Sequence, residues 1–195
     1  MAKSPVTTSP TARRSPLPRR PLARVLAAFS TVVLVIALGA VPAHADYYSG
    51  GVGTTRFTVR YGAVNDTWIG FFNTGRTNWN NTSNTNISIT RTTSTSVNRV
   101  MTAGRYTENW YGLYSPSGTR ANRSFTIRIN ARRLSEDSGS NMTAWCRSTS
   151  LHELGHALSL ADNPNTTQLS VMKHSRNRTR ITPYAYDISE VRRIY

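Results

Sequence analysis

The stretch Leu151-His152-Glu153-Leu154-Gly155-His156 carries the chemistry of this chain. His152 and His156 are four residues apart, so on an α-helix both imidazoles project from one face and can share one metal ion. Glu153 then lies beside the ion rather than on it, where a carboxylate can serve as a general base. Zinc suits this set, because imidazole is a good ligand for it and a hydrolytic site takes three protein ligands plus an open position for water. Leu151, Leu154 and Leu158 recur at helical spacing and give the helix a buried face. Gly155 costs helix propensity between the two histidines, which implies that something packs close there.

A third donor is needed. Beyond residue 45 the only histidines are His152, His156 and His174. Asp162 stands six residues after His156, just past the expected helix end, and a carboxylate is a legitimate zinc ligand. The same aspartate could instead only shape the turn Ala161-Asp162-Asn163-Pro164, a strong turn sequence. Glu190, on a later segment, is the weaker alternative, since Ile188, Val191 and Ile194 make that segment read as a packing helix.

With these residues in place the chain resembles the metzincin zinc endopeptidases. Their long motif puts a third histidine where Asp162 stands; the secreted snapalysin-type proteases of that clan have aspartate there. Ser159 replaces the glycine of the motif, so a residue with a Cβ must make the tight turn. Ser170-Val171-Met172 is similar to the clan's Met-turn, which implies that Met172 underlies the metal. The loop Ile181-Thr182-Pro183-Tyr184 is similar to the wall of the pocket that takes the residue after the scissile bond in matrixin-like members. The resemblance thus makes Pro183 and Tyr184 substrate-binding candidates. His174 falls where other members carry a tyrosine, and it reads as an extra ligand, an oxyanion donor or a solvated loop residue. The implied fold is α/β (α+β): a small twisted mixed sheet with a backing helix, the active-site helix, the Met-turn and a C-terminal helix. The implied activity is zinc-dependent hydrolysis of a peptide or protein substrate, the alternatives being a non-catalytic secreted binding module on the same scaffold or a cell-wall peptide hydrolase.

The elements that must position this site fill residues 46–195. Thr55 to Tyr61 alternates as a strand, and Asn65 or Asp66 can cap a helix placing Trp68, Phe72, Gly75 and Trp79 on one side. Asn86 to Thr90 is a short strand, Arg91 to Asn98 opens a polar loop, and Asn109 to Gly112 leads into a strand or turn. Ser124 to Asn130 alternates cleanly, with Phe125, Ile127 and Ile129 on one face. In the clan an extended substrate lies along the sheet's edge strand, so those three are further substrate-binding candidates, gripping a peptide by strand addition.

Residues 1–45 are of another kind. Five arginines precede an apolar run from Val25 to Val41, followed by Ala43-His44-Ala45, a small-x-small cleavage site. A secretory signal peptide removed before Asp46 is expected, with an extracellular domain of residues 46–195 and no stable membrane anchor afterwards. All nine acids and 18 of the 24 Lys and Arg lie beyond residue 45, leaving that domain at +9. The basic residues are scattered rather than clustered, so unspecific attraction to anionic surfaces is implied and specific nucleic-acid binding is not. A monomer is expected. Cys146 is the only cysteine, so no intrachain disulfide supports the domain, and it reads as a small buried residue.

Overall fold

The computed structural model describes residues 46–174 and 178–195; the leader lies outside the described residues, and with it the expected signal peptide. Five strands and four helices follow one another as β1 (Arg56–Tyr61), α1 (Asp66–Asn80), β2 (Ser88–Thr92), β3 (Arg99–Gly104), β4 (Gly112–Ser117), β5 (Ser124–Asn130), α2 (Ala131–Asp137), α3 (Met142–Ala157) and α4 (Ala185–Ile194). A single sheet runs β2-β1-β3-β5-β4, parallel except for β4, which is antiparallel to β5. This is a mixed α/β fold. Among the described residues no helix is long and apolar enough to cross a membrane.

Alternation in β1 and β5 sends Phe57, Val59, Phe125, Ile127 and Ile129 into the core. The Asn65 side chain accepts from the Trp68 amide and caps α1, which then turns Phe71, Phe72, Gly75 and Trp79 inward. Gly75 sets the distance to α3: a Cβ there would lie 2.9 Å from the Leu151 amide nitrogen. The Trp79 indole donates to the Leu151 carbonyl at 2.9 Å and fixes the register of the two helices. From Trp145 onward α3 is buried on nearly every side, between α1 and the β4–β5 end of the sheet. Cys146 is buried on it, and burial pushes its thiol up to about 12, so it behaves as a packing residue.

Strand order corrects one expectation. Ser124–Asn130 is β5, an internal strand paired on both sides, so it has no free edge to offer a peptide. Phe125, Ile127 and Ile129 are 2%, 0% and 0% exposed and belong to the core. The edge strand on this side of the sheet is β4, and β2 forms the opposite edge. In β4, Pro116 has no amide hydrogen, which a strand tolerates only where one side goes unpaired.

Candidate metal centre

His152 and His156 stand one turn apart on α3, both buried, with ring centroids 5.0 Å apart. Each ring is oriented from behind. His152 Nδ1 lies 2.9 Å from the Val171 carbonyl, and His156 Nδ1 lies 2.9 Å from the Leu160 carbonyl. A carbonyl only accepts, so each Nδ1 carries the hydrogen and each Nε2 keeps its lone pair in the neutral ring.

Both Nε2 atoms face Asp162, whose Oδ1 lies 3.0 Å from that of His152 and 3.5 Å from that of His156. The three ligand atoms fall within 4.8 Å of one another, so the group could hold a metal ion. The donor chemistry fits a cation as well. Two imidazole lone pairs converging on a carboxylate oxygen repel one another unless positive charge lies between them, as protons or as a metal. The titration reflects this convergence. Burial alone would raise the Asp162 carboxyl, but His152 and His156 outweigh it by hydrogen bonding and charge and hold it well below the usual range. For His156 burial works against the charged ring, yet Asp162 and Glu153 pull its pKa above the ordinary value.

The turn that carries Asp162 is built by an unusual residue. Ser159 adopts φ +65°, the left-handed conformation that favours glycine, and it is fully buried. Its hydroxyl accepts from Arg120 and lies 3.1 Å from the Tyr195 hydroxyl, so the side chain that strains the backbone is also anchored. From the other side, the Tyr48 amide donates to the Ser159 carbonyl and the Ala161 amide donates to the Asp46 carbonyl. The Asp46 carboxylate accepts from the Asn165 amide and the Tyr186 hydroxyl.

Beneath the histidines, Met172 is 1% exposed, and its sulfur would meet a Cβ on Gly155 at 2.5 Å. That contact is the close packing Gly155 implied. The segment 170–172 is held by Asp187, whose carboxylate accepts from the Ser170 hydroxyl at 2.6 Å, the Val171 amide at 3.1 Å and the Tyr184 amide at 2.8 Å.

Glu153 is 3% exposed and turns toward β4. A Cβ on Gly112 would lie 2.2 Å from its Oε1. The glutamate and all three ligand candidates line one cavity of about 830 Å³, which also takes in Tyr48, Trp110, Gly112, Arg178 and His174. His174 places Nε2 3.4 Å from Asp162 Oδ1 while its side chain stays 65% exposed. Pro183 and Tyr184 lie outside this lining, against expectation: Tyr184 precedes α4, and Arg180 stacks over its ring. Glu190 pairs with Arg193 and takes no part. Residue spacing gave no hint of Tyr48, Gly112 or Arg178, because each reaches the cavity through the tertiary fold.

The fold and this cluster define a mixed α/β domain with a candidate metal centre beside a buried glutamate. No protein-family model matches the chain, and no curated protein matches it in sequence. Among solved structures it is similar to a chain of the GM1-bound form of the ECX AB5 holotoxin. The two share 15% identity and a TM-score of 0.51, over 77% of this chain and 86% of that one. It is also similar to archaemetzincin from Methanopyrus kandleri, with 13% identity and a TM-score of 0.45 over 73% of this chain and 97% of that one. The first likeness speaks for the fold alone, and the second is too slight to argue from.

Proposed function

We propose that the chain is a secreted zinc-dependent endopeptidase of metzincin type, with matrixin-like or snapalysin-like character and aspartate as third ligand. The observation that carries this reading is the convergence of His152, His156 and Asp162 on one point, with buried Glu153 lining the same cavity. His152, His156 and Asp162 would hold the ion; zinc supplies Lewis acidity, which acidifies water and polarises a carbonyl. Glu153 accepts a proton from the attacking water and returns it to the leaving amine. Gly112 gives that carboxylate room, and β4 offers the backbone edge along which an extended peptide can add as a further strand. The Val171 and Leu160 carbonyls keep both imidazoles in the tautomer that leaves Nε2 facing inward.

Residues 1–45 are proposed as the signal peptide and 46–195 as the catalytic domain. The backbone and carboxylate bonds of Asp46 support cleavage just before it, since they make that residue part of the folded body. The domain is proposed to act as a monomer on peptide or protein substrates, with no nucleic-acid partner. The test is cleavage of casein by residues 46–195 beside the Glu153→Ala variant, with zinc content measured in both. Loss of cleavage in the variant alone, zinc retained, is the expected result. Equal inactivity of two folded, zinc-loaded proteins would refute the proposal.

A further inference from the structure

The cavity has one wall that the proposed chemistry does not use. Arg178 lines it, half-buried, with its guanidinium 5.3 Å above the Tyr111 ring. Its Nε is buried and finds no hydrogen-bond partner among the described residues. Those residues include all nine acids, and none lies within ion-pair distance of Arg178. Arg133, on the same lining, also leaves its buried Nε unpartnered but differs in charge: Glu136 and Asp137 neutralise it, Asp137 at 2.9 Å. Arg178 shares this lining with Glu153 and Asp162, on the reactive side of the cavity.

A guanidinium drawn out of water without a paired carboxylate is costly to the free protein, and an anion that binds there relieves the cost. The planar fork selects groups that accept two parallel hydrogen bonds, of which a carboxylate is the one a peptide carries. Stacking on Tyr111 holds the plane of the fork, so little side-chain freedom is lost when a ligand arrives. The +9 charge of residues 46–195 draws acidic segments toward the domain in the first place.

We propose that Arg178 makes this wall a subsite for a peptide carboxylate, so that the preferred ligand carries a negative charge beside the point where the metal-ligand candidates converge. The carboxylate can be an acidic side chain or the chain terminus. Turnover at this subsite rests on the peptidase reading; binding of the carboxylate does not.

The test uses residues 46–195 and blocked peptides alike except for one position, Asp or Asn, each made with a free or an amidated C-terminus. Cleavage is read by mass spectrometry, and binding to the Glu153→Gln variant is read by calorimetry. A kcat/KM at least about tenfold higher for the Asp peptides, with matching tighter binding, is expected. Arg178→Gln should abolish that preference, with an unchanged circular dichroism spectrum and melting temperature showing that the variant is folded. Arg178→Lys should restore only part of it. A preference that follows the free terminus instead of the aspartate assigns the subsite to the terminal carboxylate and also supports it. Cleavage without preference, or a preference unchanged in Arg178→Gln, overturns the inference and leaves the peptidase intact. Arg178-dependent binding of acidic peptides with no cleavage by the wild-type chain supports the subsite and overturns the peptidase.

Discussion

A methyl group on Gly112 would sit 2.2 Å from Glu153 Oε1 and 2.7 Å from both its Cδ and Cγ. Comfortable contact begins near 3.5 Å, so in Gly112→Ala the carboxylate must retreat by roughly 1.3 Å. The backbone at Gly112 has no positive φ, and alanine suits a strand better than glycine, so the change leaves the sheet in place. A base displaced by about 1 Å loses on the order of 100-fold in rate, within the 10²–10⁴ that a positioned base supplies. We therefore expect kcat for casein hydrolysis to fall about 100-fold, while the melting temperature moves by no more than about 4 °C. A cycle with Glu153→Gln makes the test specific to the pair. Because the methyl acts through Glu153, adding Gly112→Ala to Glu153→Gln should change the residual rate by less than about twofold. Two results would refute the reasoning: full activity in Gly112→Ala, or a 100-fold loss that persists in the Glu153→Gln background.

Four further outcomes follow from the packing and the ligand set. Gly155→Ala drives a Cβ into the Met172 sulfur and should cost about 1–3 kcal/mol in thermal or urea unfolding, with much of it recovered by Met172→Ala. Asp187→Ala strands the Ser170 hydroxyl and two amides in a buried site and should cost about 3 kcal/mol or more, measured the same way. Burial raises the Asp187 pKa against the opposing hydrogen bonds from Ser170, Tyr184 and Val171. A raised native pKa contributes stability that is complete below the unfolded value and lost as pH climbs through the folded one. Wild type should therefore lose stability relative to Asp187→Asn as pH rises from about 4, seen as a narrowing gap in melting temperature. Chelation should abolish hydrolysis and lower the melting temperature; zinc should restore both, with Asp162→Ala needing at least about tenfold more zinc to do so.

What the sequence revealed depended on how deeply each residue is buried. Alternation in Phe125, Ile127 and Ile129 marked β5 to the residue, because a strand flanked on both sides has to carry a full apolar face. Asn65 announced the start of α1 through its cap, and the spacing of His152, Glu153 and His156 placed three site residues on one helix. The edge strand β4, Gly-Leu-Tyr-Ser-Pro-Ser, lacked any such signature since only Tyr114 is buried. The clearest strand in the sequence is therefore an internal one and not the edge. Strand β3 escaped notice for a related reason: only Met101 is fully buried, and parallel pairing to β1 and β5 supplies the rest of its order. Helix α2 has a single buried residue, Leu134, too little to register as a period. The cavity wall at Arg178 depends on where a loop folds back, which no local pattern encodes.

The turn at Ser159 also has a history in time. Residues before it, from Asp46 to Val52, bind its backbone, and Tyr195, 36 positions after it, meets its hydroxyl and donates to the Val52 carbonyl. A chain made from the amino end can form β1 to β5 and α3 while this clasp is still open. Asp46, Tyr48 and Arg120 already hold the loop bearing Asp162, and Tyr195 adds the last tie when it folds back onto Ser159 and Val52. The turn is thus closed by segments from both flanks of the chain, so its geometry is a product of long-range folding rather than of its own sequence.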